Sequence, residues 1–65
     1  MDIIKLLHRD VLIEFVDGGG MQGYIDAHIS ADDNYPDPES IVLVVGRVKY
    51  EISVDEIKRI TIITN

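Results

Sequence analysis

The 65-residue chain has no cysteine and no tryptophan, one phenylalanine and two prolines. Without cysteine it can form no disulfide, no thiolate zinc site and no cysteine nucleophile. Its two histidines could hold zinc only with help from carboxylates. Positive charge is also scarce: six Lys and Arg stand against twelve Asp and Glu, for a formal net charge of −6. That balance opposes sequence-blind attachment to phosphate backbones or anionic membranes. The longest unbroken apolar run, Ile41-Val-Leu-Val-Val45, falls far short of the roughly 20 residues of a membrane span. The apolar start, Met1–Leu7, is interrupted by Asp2 and Lys5, and no small-residue cleavage site follows. These absences point to a cytoplasmic protein with no membrane partner.

What remains is ordinary globular material, 46% hydrophobic and 28% charged. The length allows one domain, residues 1–65. A chain this short buries only about 60% of its unfolded surface. Lacking a disulfide, it must depend on close packing or on association with copies of itself.

Hydrophobic spacing divides the chain. Ile3, Leu6 and Leu7 share one side of a short helix over residues 2–7, with Asp2 at its start. Val11–Val16 is a strand with Val11, Ile13 and Phe15 on one face. Asp17-Gly-Gly-Gly20 is a hairpin turn; no helix or lysine accompanies the glycines as a phosphate loop requires. Met21–Ile29 alternates, with Met21, Gly23, Ile25, Ala27 and Ile29 one way and Gln22, Tyr24, Asp26 and His28 the other. Gly23 marks a bend or a close backbone approach. Residues 30–39 form a loop rich in proline and acid.

Ile41–Val45 is the third strand, apolar on both faces. Gly46-Arg47 is a tight turn, and Val48–Ile52 is a strand with Val48, Tyr50 and Ile52 inward. Ser53 caps a single helical turn before a last strand, Lys58–Thr64. The fold class is therefore mainly β, a five-stranded, strongly bent antiparallel sheet closing as a small barrel with a short N-terminal helix.

The residues Leu7-x-x-Asp-Val11-x-Ile-x-Phe, Asp17-Gly18, Gly23-x-Ile25, Ile41-x-Leu, Val45-Gly46, Tyr50-x-Ile52 and Asp55-Glu-Ile57-Lys-x-Ile60 occur in an order that resembles the Sm/LSm family. Within it the chain is most similar to short bacterial Sm-like proteins whose role is unassigned. The resemblance covers nearly the whole chain and implies an Sm-like (SH3-like) barrel. It also implies self-association through strands four and five. Val48, Tyr50, Ile52, Ile60, Ile62 and Ile63 would form that edge.

For RNA-binding members the resemblance implies an aspartate and an asparagine after strand two, matched here by Asp32 and Asn34, with Tyr35 as the stacking aromatic. Their arginine-glycine pair meets Val45-Gly46, so the arginine is missing and Arg47 follows the glycine. The candidate ligand or RNA contacts are therefore Asp32, Asn34, Tyr35, Gly46, Arg47 and Lys49.

Other chemistry is weaker. Asp32-x-Asn34 begins like a calcium loop, but Pro36 follows and no central glycine arrives, so no metal or cofactor is expected. Asp26 and His28 would lie about 7 Å apart on one strand face as a polar pair. His8, beside Arg9 and Asp10, would suit the negative end of the first helix. Ser30, Ser40 and Ser53 sit at turn or cap positions and assemble no triad, so no enzyme is expected. The function expected is a non-catalytic binding or assembly module. The alternatives are an RNA-binding Sm-like ring and a protein-interaction adaptor with an SH3-like barrel.

Overall fold

The computed structural model describes residues 3–63. A 3-10 turn (Ile3–Leu6) leads into β1 (Asp10–Phe15), β2 (Gly20–Ile29), β3 (Ser40–Val45) and β4 (Val48–Ser53). A second 3-10 turn (Val54–Glu56) precedes β5 (Ile57–Ile62). The strands form one sheet in the order β4-β3-β2-β1-β5, with every neighbouring pair antiparallel. The five-stranded antiparallel sheet is as expected. It is not closed, because β4 and β5 lie at opposite edges rather than beside one another.

One face of the sheet carries the core. Val11 and Ile13 of β1, Ile25 of β2, Ile41 and Leu43 of β3 and Ile52 of β4 are buried with Ile57 at the start of β5. Ile3 from the first turn joins them, and Leu6, Leu7 and Phe15 pack against the cluster. The apolar side of the N-terminal segment is therefore the expected one, with Ile4 left exposed. Its geometry is 3-10, held by i→i+3 bonds from Leu7 N–H to Ile4 O and from Arg9 N–H to Leu6 O. The expected cap at Asp2 and the last strand residue, Thr64, lie outside the described residues.

His8 ends the first turn in the left-handed region, at φ 62°. Its ring stacks on Tyr24, with centroids 6.1 Å apart, and its N–H donates to Ile25 O. It thus pairs the chain with β2 instead of serving a helix terminus.

The face assignment of β2 needs correction. Its register against β3 shifts between Ile25 and Ala27, leaving Asp26 as the extra residue of a bulge. Ile25 opposes Leu43 on the core side, but beyond the bulge it is His28 that opposes Ile41, while Ala27 opposes Val42. One inserted residue reverses the two-residue alternation, so Asp26 and His28 do not form the expected outward pair. Asp26 instead meets Lys49 Nζ at 3.4 Å. His28 Nε2 lies 2.6 Å from Glu39 Oε2, with the histidine side chain only 18% exposed.

Turn chemistry follows the glycines where φ demands it. Gly18 sits at φ 98° and Gly46 at φ 62°. Arg47 has no positive φ, so the two-residue Gly46-Arg47 turn has the II′ pattern. Ser53 makes no side-chain cap bond to the second turn; its Oγ is buried without a partner.

Candidate functional site

The two sheet edges can be read group by group, because antiparallel ladders alternate. A residue whose N–H and C=O face one neighbour is flanked by residues that face the other way. Val54 N–H donates to Glu39 O, which fixes Ile52, Tyr50 and Val48 as facing β3. The main-chain groups of Lys49 and Glu51 therefore face away from the sheet. At the other edge Ile63 N–H donates to Asp10 O, so Thr61 and Arg59 face β1. The groups of Ile60 and Ile62 face outward. Each edge thus presents a short row of unpaired donors and acceptors.

Side chains at these edges are unequal. By register Val48 opposes Val45, Tyr50 opposes Leu43 and Ile52 opposes Ile41, so all three are on the core side as expected. Only Ile52 is buried; Val48 is 50% and Tyr50 42% exposed. No further strand covers them, since β4 is an edge. Ile60 and Ile62 pack partly buried against the core, and Ile63 is half-buried just past β5.

The six candidate contact residues fall into two groups that the chain does not bring together. Asp32, Asn34 and Tyr35 lie in the loop between β2 and β3, and Gly46 and Arg47 in the turn after β3. The length of β3, six residues, separates them by about 17 Å at roughly 3.3 Å per residue. Asn34 is committed within its own loop: Nδ2 donates to Pro38 O at 2.8 Å and to Ser40 Oγ at 3.5 Å. Its N–H donates to Ser30 O, and its carbonyl accepts from Asp37 N–H. Tyr35 is 85% exposed, Asp32 is exposed and Arg47 is exposed. Lys49 is tied to Asp26.

Several contacts had no signal in spacing alone. The His28–Glu39 pair depends on the Asp26 bulge. The His8–Tyr24 stack depends on the left-handed His8. Glu14 and Arg59 oppose each other across β1 and β5, and Arg59 Nε donates to Glu14 Oε2. That hydrogen bond holds the Glu14 carboxyl below its ordinary range, against some desolvation, and raises the Arg59 guanidinium.

Among the described residues no three His, Asp or Glu side chains are placed to hold a metal, and no helix is long and apolar enough to cross a membrane. No family model, curated protein or solved structure matches this chain.

Proposed function

We propose that the protein is a non-catalytic assembly module of Sm-like character, which joins copies of itself head-to-tail through β4 of one copy and β5 of the next. The observation that carries this reading is the strand order, which leaves β4 and β5 as the two unpaired edges. Exposure of Val48 and Tyr50 along β4 supports it, since a neighbouring strand would cover them. A contact between unlike edges continues from copy to copy and closes into a ring where the rotation permits. The barrel belongs to this proposal: strong bending of the sheet would bring its open side against the neighbour.

The test uses one proline at each edge, placed where the N–H faces outward. Glu51→Pro blocks the β4 edge and Ile62→Pro the β5 edge, with the ladders inside the subunit intact. Parent protein should give an oligomer by light scattering, and each variant alone a monomer. An equimolar mixture should give a 1:1 dimer and nothing larger, because each variant retains the edge the other lacks. A monomeric parent, or variants that assemble as the parent does, would end the proposal.

The RNA-binding alternative has less support. Its candidate residues are split between opposite ends of β3, Asn34 is engaged locally, and the net charge is −6. A ring could still gather weak sites from several copies, so retention of RNA at low salt by the parent, lost in the monomeric variants, would favour it. The adaptor alternative has one feature in its favour, the exposed Tyr35, a side chain type common at binding hot spots.

A further inference from the structure

A groove of about 430 Å³ opens on the face of the sheet away from the core. Asp10, Gln22, Tyr24, Val44 and Ile63 are among the residues that line it; the first four have the phase opposite to the buried residues of their strands, and Ile63 lies just past β5. Asp10 and Tyr24 oppose each other across β1 and β2, and Val44 opposes Tyr24 from the other side. Ile63 flanks Asp10 through its main-chain bond. The result is a row of carboxylate, aromatic ring and apolar side chains across adjacent strands. The Tyr24 ring is held in place by its stack on His8.

The charges in this row are unbalanced. No Lys or Arg lines the groove, and no described side chain bonds or pairs with the Asp10 carboxylate, although the ion pairs of Lys49 and Arg59 engage other acids. Lys49, the residue across from Val44, is turned to Asp26. A carboxylate without a cation, next to a positioned ring and an apolar floor, suits a cation carried on an aliphatic stem.

We propose that this groove receives an arginine side chain of a partner polypeptide. The guanidinium donates to the Asp10 carboxylate and lies against the Tyr24 ring, while the stem runs over Val44. Arginine fits better than lysine because its planar group can stack and donate in a fork at once. A polypeptide fits better than a free amine for two reasons. The groove is larger than one side chain, and the Gln22 amide, two residues from Tyr24 on the same face, can bond flanking main chain. A nucleobase could also stack on Tyr24 and donate to Asp10, but its phosphate would find no cation here.

The experiment is an amide chemical-shift titration of the full chain with acetyl-Gly-Arg-Gly-amide, its citrulline counterpart, agmatine and guanosine monophosphate. The arginine peptide should give saturable shifts at Asp10, Gln22, Tyr24 and Val44. Citrulline, which keeps the shape and loses the charge, should bind about tenfold more weakly or worse. Asp10→Asn should weaken the arginine peptide by a similar factor, and Tyr24→Leu by a smaller one. Asp10 is exposed, so its variant should keep the parent's dispersed spectrum; if it does not, the citrulline comparison on the parent decides. Equal binding of citrulline, indifference to Asp10→Asn, or no saturable shift overturns the proposal. Agmatine binding as tightly as the peptide assigns the groove to a free cation, and tighter binding of the nucleotide assigns it to a base; either result overturns the polypeptide.

Discussion

Adding one methyl group at Gly23 should remove a substantial part of the fold's stability. A Cβ there would lie 2.5 Å from the main-chain oxygen of Val44 and 3.0 Å from Leu43 Cγ and from Val45 Cγ2. The first contact is with backbone, which cannot rotate away, so β2 and β3 must separate by several tenths of an ångström. Overpacking of this kind costs about 1–3 kcal/mol, and each ladder hydrogen bond stretched out of range adds about 0.5–1.5 kcal/mol. The loss of glycine's freedom in the unfolded chain returns roughly 0.4–1 kcal/mol. The net expectation for Gly23→Ala is a destabilisation of about 2–3 kcal/mol, against a total of about 3–10 kcal/mol for a chain of this length.

Gly19→Ala is the control. Its nearest neighbour would be Asp17 Oδ1 at 3.3 Å, the end of a side chain that can move, and its φ is not positive. It should change stability by less than about 0.5 kcal/mol. Urea unfolding with a common slope for all three proteins gives the comparison. Midpoints for Gly23→Ala and Gly19→Ala that agree within error would refute the close approach of β2 to β3.

Ser53→Ala removes a buried hydroxyl that has no partner, so it should leave stability unchanged or raise it by up to about 1 kcal/mol; a clear loss by urea unfolding would show that the hydroxyl is satisfied. Glu14 has its folded pKa lowered by Arg59, so its contribution is present above the unfolded carboxylate pKa and disappears as pH falls through the lower folded value. Glu14→Gln should therefore flatten the acid limb of thermal midpoint against pH, and identical limbs would refute this. If copies join at their edges, continuity of apolar surface favours a parallel join. Such a join sets Val48 and Tyr50 beside Ile60 and Ile62, and Lys49 opposite Thr61, whereas an antiparallel one sets Lys49 and Glu51 among the isoleucines. In a chain without cysteine, a mixture of Lys49→Cys and Thr61→Cys should then crosslink on oxidation, and crosslinking of Lys49→Cys to Ile62→Cys in its place would refute the parallel arrangement.

Much of the fold could be read from alternation because one sheet face is buried. Val11, Ile13 and Phe15 share their face, Val42 and Val44 oppose Ile41 and Leu43, and Gly46 adopts the positive φ that its turn requires. Alternation fails where its period is broken. The bulge at Asp26 leaves no mark in the sequence, since Ala27 and His28 are neither glycine nor proline, and unbroken alternation keeps Ala27 and Ile29 on the side of Ile25. Ser53 illustrates a second limit. A serine three residues before a glutamate reads as a capping box, but Ser53 is also the last residue of β4 and keeps an extended backbone with its hydroxyl turned into the structure.

The candidate site is less legible because side-chain type marks loops, whereas the residues of the groove lie along strands and meet only through register. Asp32 and Asn34 stand out in the acidic loop by type, yet Asn34 uses its amide to close the loop over Pro38 and Ser40. Tyr24 and Asp10 are fourteen positions apart and become neighbours only through the β1–β2 register. That register is set by the Asp17–Gly20 turn, where Phe15 N–H donates to Gly19 O, and a slip of one residue would send either Asp10 or Tyr24 into the core. Burial of Val11 and Ile25, the next residues along each strand, opposes that slip. The same packing that defines the core therefore positions the carboxylate beside the ring on the opposite face.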